Sequence, residues 1–149
     1  MKFTDEEQQI IHQAEAIIAA KLPGTDYVTS PDDVRTFLRL HFASAERELF
    51  GVLFLDSRNG VIAFDELFQG SIDSCHVHIR IIVQKAMQHN ARSVVLAHNH
   101  PSANPEPSPA DKALTLRIQA ALALVEVVTF DHVIVAGNTF TSFAQRGLL

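Results

Sequence analysis

The run from Ser93 to Leu124, SVVLAHNHPSANPEPSPADKALTLRIQAALAL, constrains the fold more than any other part of the chain. SVVLAH reads as a short central strand and ends at His98-Asn99-His100-Pro101. PSANPEPS is a loop holding three prolines, and PADKALTLRIQAALALV has the composition of a helix. A buried strand that feeds a helix through a stiff loop belongs to an α/β fold, with helices covering a sheet. Side chains two apart on a strand point the same way, so His98 and His100 aim at one point while Asn99 faces the other side. They stand at a strand end, where binding sites of α/β sheets commonly sit.

The rest of the chain fits that class. Thr4 to about Lys21 has helical apolar spacing with an acidic start at Asp5, Glu6 and Glu7. LPGTDYVTS breaks the pattern, and Ser30-Pro31-Asp32-Asp33 opens a second helix, with serine as cap, proline first and acids in the first turn. A lid, a dimer arm or a docking surface are the roles open to these two helices, and a homodimer is carried as an expectation. ELFGVLFLD reads as a buried strand, Ser57-Arg58-Asn59-Gly60 as a hairpin turn and VIAFDELFQG as the returning strand. CHVHIRIIVQKAMQHN reads as a helix, and VEVVTF, HVIVAG and TFTSF as closing strands. The expected architecture is a single-domain mixed β-sheet, partly antiparallel, flanked by helices.

Two imidazoles suit zinc, which normally takes a third protein ligand and leaves one position for water in a catalytic site. Asp111, in the first turn of the helix after the loop, is the candidate third ligand. Ser108-Pro109-Ala110-Asp111 is also a good capping box that needs no metal. The convergence of two same-face histidines, a short loop, a serine and an aspartate favours the site, because one helix start can orient Asp111 for metal and Ser108 for substrate. A hydrolytic zinc site also needs a base. Position alone leaves Glu46, Glu48, Asp65, Glu66 and Glu106 in competition; Glu48 directly precedes a buried strand, and Glu106 lies in the loop.

Composition excludes several classes. A length of 149 residues with 47% hydrophobic and 19% charged content fits one globular domain. No run approaches a membrane span, and the N-terminus is a poor secretory signal. The one cysteine, Cys75, rules out an internal disulfide and a cysteine-rich zinc site, so a cytoplasmic setting is expected. A net charge of -5, with basic residues scattered singly, argues against nucleic acid as partner.

The pattern His98-x-His100-Pro101, six residues, Ser108, two residues, Asp111 resembles the JAMM motif of the MPN-plus metalloproteases at every position. Glu48-Leu49-Phe50-Gly51-Val52-Leu53 resembles the upstream glutamate and G-x-L strand that accompany it. More closely, ERELFGVLFLD, LFQGSID, AHNHPS and SFAQRGLL resemble the RadC-like JAB-domain proteins of bacteria, over roughly Pro31 to Leu149. The resemblance implies a JAB/MPN fold with a cytidine-deaminase-like layout over 31–149, behind an N-terminal helical extension over 1–30. It implies one Zn²⁺ per chain on His98, His100 and Asp111, with water as fourth ligand. Glu48 would be general acid/base, and Ser108 would donate a hydrogen bond to the oxyanion. Family members of known activity cut peptide or isopeptide bonds, so a peptide or protein conjugate is the implied substrate. Longer RadC proteins carry a helix-hairpin-helix segment; this chain is expected to lack one, and a role in DNA repair transfers poorly. Two departures stand out. Val77-His78-Ile79-Arg80-Ile81 replaces V-H-P-R-E, losing a helix-starting proline and an acid. Ala103 replaces the glycine of H-P-S-G.

Other residues read as structural. His76 and His78 fit a helix start better than a second metal pair; His132 fits a hydrogen-bonded structural role; Cys75 fits packing. His12, His41 and His89 read as helix-surface residues, and the leucine-alanine stripe of ALTLRIQAALALV as core. Two other function classes compete with a hydrolase. A nuclease reading of His98-Asn99-His100 is weak because HNH nucleases disperse those residues, and a deaminase would need a cysteine pair. A non-catalytic interaction module fits less well because the full ligand set is kept.

Overall fold

Over residues 2–71 and 75–149, which this computed structural model describes, the elements run α1 (Asp5–Lys21), α2 (Pro31–Phe42), β1 (Leu49–Leu55), β2 (Val61–Gln69), α3 (Ile79–Gln88), β3 (Ser93–Asn99), α4 (Pro109–Leu124), β4 (Val128–Ala136) and β5 (Thr139–Ser142). The last three residues of SIDS, 72–74, lie outside the described residues, and with them part of the LFQGSID stretch.

The sheet order is β2-β1-β3-β4-β5. β1 pairs antiparallel with β2 and β3, β3 runs parallel to β4, and β4 returns antiparallel to β5. The expected mixed sheet is therefore present, with α4 as the crossover that a parallel pair requires. β3 is buried along its whole length because it is central and covered on both faces. Side-chain alternation divides the core in two. Leu53, Leu55, Val95, Ala97, Val133 and Val135 meet Val34, Phe37, Leu38 and Phe42 of α2 on one face. Phe50, Val52, Phe54, Val94 and Leu96 meet Ile82 and Ala86 of α3 and Ile118 and Leu122 of α4 on the other. The result is a single mixed α/β domain in three layers, the layout expected of the JAB/MPN fold. No helix among the described residues is long and apolar enough to cross a membrane.

Several local expectations hold for the reasons given by the sequence. α1 opens on the expected acidic residues Asp5, Glu6 and Glu7, and the structure adds a reciprocal capping box between Thr4 and Glu7. Asn59 takes the left-handed backbone of the β1–β2 turn at φ 61°. Others need correction. The strand parts of VEVVTF and HVIVAG form one strand, Val128–Ala136, with Asp131 inside it, while Val125 caps the end of α4. That buried carboxylate is tolerated because it accepts from the backbone of His132 (2.7 Å) and Ala144 (2.9 Å) and from the Ser142 hydroxyl (2.6 Å). A bulge takes up the irregularity: Val94 pairs with Thr129 but Val95 with Asp131. Ser30 stands at the N-cap of α2 but makes no side-chain cap bond. Asp26 instead accepts from the Val28 and Thr29 amides just upstream. The stripe on α4 is only partly core: Ile118 and Leu122 are buried, whereas Leu116 and Leu124 face outward. His12 is exposed, as expected, but His41 and His89 are not simply surface residues. His41 lies between Glu15 (2.6 Å) and Glu66 (2.7 Å), tying α1 to the edge strand β2, and His89 bonds Asp65 of β2 at 2.9 Å.

Candidate metal centre

The site lies where the end of β3, the residue before β1 and the first turn of α4 meet. His98 is the last residue of β3 to face the α3/α4 layer, beside Leu96 and opposite Phe50 of β1. Its ring stacks on Phe50, with centroids 5.9 Å apart. His100 follows on the same side, and its amide donates to Val135 O at 2.9 Å, extending the ladder one residue past the strand. Pro101 then turns the chain into the loop. Ala103 sits there at φ 61°, a left-handed backbone that glycine adopts freely and alanine at a cost of roughly 1–2 kcal/mol. The missing glycine of this loop therefore leaves the turn intact but strained. Thr141 holds the loop at Pro105 O (2.9 Å), and Arg146 holds it through two bonds to Glu106, at 2.9 and 3.0 Å.

The loop delivers α4 with its first turn aimed at the two histidines. The capping box expected from the sequence is complete: Asp111 N–H donates to Ser108 Oγ at 3.0 Å, and Ser108 N–H donates to Asp111 Oδ2 at 2.9 Å. The same carboxylate reaches the histidines. Asp111 Oδ2 is 3.2 Å from His100 Nε2, and Oδ1 is 3.4 Å from His98 Nε2. Across the site, Glu48 Oε1 lies 3.7 Å from His98 Nε2. Glu48 is buried, and its backbone extends the β1–β2 pairing, donating to Ser71 O and accepting from Gly70 N–H. Asn99, on the opposite face of β3, grips the chain on either side of it: Oδ1 accepts from Leu49 N–H at 2.7 Å, and Nδ2 donates to Arg47 O at 3.0 Å.

Glu48, His98, His100 and Asp111 thus each offer one ligand atom, and these atoms lie within 4.8 Å of one another. It is the one such group of three or more among the described residues. The donor set fits a metal ion. His98 Nε2 and His100 Nε2 stand 3.0 Å apart with carboxylates on either side, an arrangement of lone pairs that only protons or a cation can reconcile. His100 Nδ1–H donates to the Asn104 carbonyl at 2.8 Å, which turns Nε2 inward. Electrostatics follow the same geometry. The hydrogen bond to Asp111, opposed by burial, holds His100 above the ordinary imidazole value. Burial resists ionisation of Asp111, but the bond from His100, the nearby His98 ring and the bond from the Ser108 amide hold its carboxyl well below the usual range. The group opens on a cavity of about 500 Å³ whose wall is partly apolar, with Phe50, Cys75, Val77 and Leu114. Cys75 packs there as expected, its thiol pushed up to about 11 by burial and by Glu48.

Of the five acids that sequence position leaves in competition, Glu48 stands in the ligand group. Asp65 and Glu66, on β2, bond His89 and His41, Glu46 is exposed, and Glu106 lines the rim but is engaged by Arg146. His76 and His78 are exposed, their ring centroids 4.6 Å apart, without a third ligand type joining them among the described residues. The helix after them begins without an acid in its first turn or a side-chain cap bond, as the loss of proline and glutamate there implies. The residue that sequence reading undervalued is His132. Its hydrogen-bonded role is present, but its partner is a member of the ligand group: Nε2 lies 2.8 Å from His98 Nδ1, and Nδ1 lies 2.6 Å from Thr115 Oγ1. Burial keeps His132 far below the ordinary imidazole value, so the ring is neutral. The one available signal was a hydroxyl, Thr115, inside the apolar stripe of α4.

The family model described as RadC-like JAB domain matches residues 28–148. Curated relatives carry the name UPF0758 protein. One from Thioalkalivibrio sulfidiphilus is 47% identical over 95% of this chain and 63% of its own. One from Methylibium petroleiphilum is 45% identical over 94% and 63%. One from Vibrio cholerae is 44% identical over 97% and 91%. The chain therefore spans just under two thirds of the length of several relatives and most of another.

Proposed function

The chain belongs to the RadC-like JAB domain family, and from that premise and the geometry of its ligand group we propose that it is a zinc-dependent metallohydrolase of the metallopeptidase or isopeptidase type. One observation carries the proposal: two imidazole nitrogens and two carboxylates converge within 4.8 Å at the mouth of a cavity. Nitrogen and oxygen donors in that number suit zinc. His98, His100 and Asp111 hold one ion per chain. When bound, zinc supplies Lewis acidity and lowers the pKa of water toward 7. Glu48 is the general acid/base: its carboxylate stands 3.7 Å from His98, on a backbone clamped by Asn99, and is placed to take a proton from water and pass it to a leaving amine. Ser108 Oγ already accepts from the Asp111 amide, so its own proton is available to a developing oxyanion at the pocket. The substrate is a peptide or a protein conjugate, whose amide enters along the apolar wall. The single free thiol fits a reducing, cytoplasmic setting.

Glu48→Gln tests the reading. Zinc content is measured alongside hydrolysis of a panel of peptides and isopeptide-linked conjugates. The variant is expected to keep about one zinc per chain and lose turnover. Loss of zinc would make Glu48 a ligand, and unchanged turnover would move the base elsewhere.

A further inference from the structure

Behind His98, three groups form a chain of hydrogen bonds that runs from His98 through His132 and Thr115 to the backbone carbonyl of Asp111. Thr115 Oγ1 lies 2.7 Å from the Asp111 carbonyl, His132 Nδ1 lies 2.6 Å from Thr115 Oγ1, and His98 Nδ1 lies 2.8 Å from His132 Nε2. Thr115 and His132 are fully buried and His98 nearly so.

The direction of this chain is fixed by chemistry. A carbonyl oxygen only accepts, and two oxygens 2.7 Å apart repel unless a proton lies between them. The hydroxyl proton of Thr115 therefore goes to Asp111 O. The hydroxyl must then accept from His132, which puts the His132 proton on Nδ1. A neutral imidazole has one N–H, so His132 Nε2 is an acceptor, and the bond to His98 requires a proton on His98 Nδ1. We infer that Thr115 and His132 are positioning residues that hold His98 as its Nδ1–H tautomer, leaving the Nε2 lone pair directed at the ligand group. The Nδ1–H of His100 is fixed in one step, through the Asn104 carbonyl. For His98 the Nδ1–H is fixed in three steps, through His132 and Thr115 to the Asp111 carbonyl. The relay also couples the two ends of the site: the backbone of Asp111 sets the tautomer of one ligand while its carboxylate is another.

The experiment uses ¹⁵N-histidine-labelled protein without metal, in which two-bond nitrogen–proton correlations report each tautomer, followed by titration with zinc chloride alone. Only the titration rests on the metal reading above. In the wild type His98 is expected as Nδ1–H. In Thr115→Val, a replacement of the same shape, the acceptor for His132 is gone. A buried N–H without a partner costs more than a buried lone pair without one, so His132 moves its proton to Nε2 and His98 changes to Nε2–H. Zinc affinity then falls about 10–100-fold, in the range seen when outer partners of metal ligands are removed, and Thr115→Ser restores both tautomer and affinity. The wild-type spectrum stands as a test even if the valine variant does not fold. An Nε2–H His98 in the metal-free wild type overturns the inference, as does a valine variant with unchanged tautomers and zinc affinity. A tautomer switch without zinc binding in either protein would leave the relay standing and remove the metal reading instead.

Discussion

Two helix starts in this molecule are built to the same local plan. At α1, Thr4 accepts from the Glu7 amide at 3.2 Å while Glu7 accepts from the Thr4 amide at 2.8 Å. At α4, Ser108 and Asp111 repeat the exchange at 3.0 and 2.9 Å. Each arrangement satisfies two amides that the helix leaves without partners, and each cap contributes about 1 kcal/mol. What differs is the surroundings. The first box is exposed on a helix with no fully buried residue. The second faces the end of a buried strand, and its acid is shorter by one methylene and close to two imidazoles. A cap is thus a local device available anywhere; it becomes a site when the tertiary fold puts other ligands across from its acid.

The largest separation between the two boxes is expected in metal binding. Asp111→Ala removes a proposed ligand as well as half of a cap, and the variant should fail to retain zinc in a dialysis experiment read by elemental analysis. Glu7→Ala breaks the equivalent half-cap and should keep the wild-type content of about one zinc per chain. If Asp111→Ala bound zinc as tightly as the wild type, the second box would be no more than a cap, and the contrast would vanish.

Turnover should separate the hydroxyls. Ser108→Ala is expected to lower kcat by about 10²-fold, the effect of losing one oxyanion donor, while costing about 1 kcal/mol of stability as a cap. Thr4→Ala carries the second cost without the first. Equal kcat for Ser108→Ala and wild type would restrict Ser108 to its role in the helix.

Acidity gives a smaller and graded contrast. His100 is held above its ordinary value of 6.5 by Asp111, and in the proposed site zinc would compete with the proton that Asp111 stabilises there. Zinc affinity should therefore begin to fall above pH 6.5 on acidification and continue downward. In the metal-free protein the sign reverses. A raised imidazole contributes stability that is full below pH 6.5 and is lost as pH rises through its folded value. Asp111, depressed from 3.8, contributes stability present above that value and lost only in stronger acid. Titration calorimetry and thermal melts across pH 5–8 measure both trends; a zinc affinity flat over that window would place the raised proton outside the ligand group.

Much of this contrast is readable from the sequence, and the part that is not has a common cause. His98, His100, Ser108 and Asp111 declare themselves because strand alternation and helix capping are set within a few residues. Asn59 does so for the same reason. What local pattern misreads is every polar group whose partner is distant in sequence. Asp131 looks like a strand break until Ser142 and Ala144 satisfy its carboxylate. His41 looks solvated until Glu15 and Glu66 close on it from two elements. His132 was legible as a bonded histidine, but its bond to His98, 34 residues away, was not. Ser30 is the reverse case: a good local cap signal left unused because Asp26 already organises the turn before α2.

The smallest expected effect bears most directly on what a cap contributes without a site. Thr4→Ala leaves the Glu7 amide to water, which is close at hand because this helix start is exposed. α1 is held chiefly at its other end, where Ile18, Ala19 and Leu22 join the α2 core and Glu15 meets His41. Fraying of the first turn can therefore proceed without opening that end. The change should cost at most about 1 kcal/mol, or roughly 2–4 °C in Tm for a chain of this size. Hydrogen exchange should quicken at the first-turn amides of α1 while the β3 amides keep their protection. Zinc content and kcat should match the wild type. A larger loss of stability, or exchange that quickens in β3 as well, would mean that the first turn of α1 is coupled to the core, and the two helix starts would differ less than their surroundings imply.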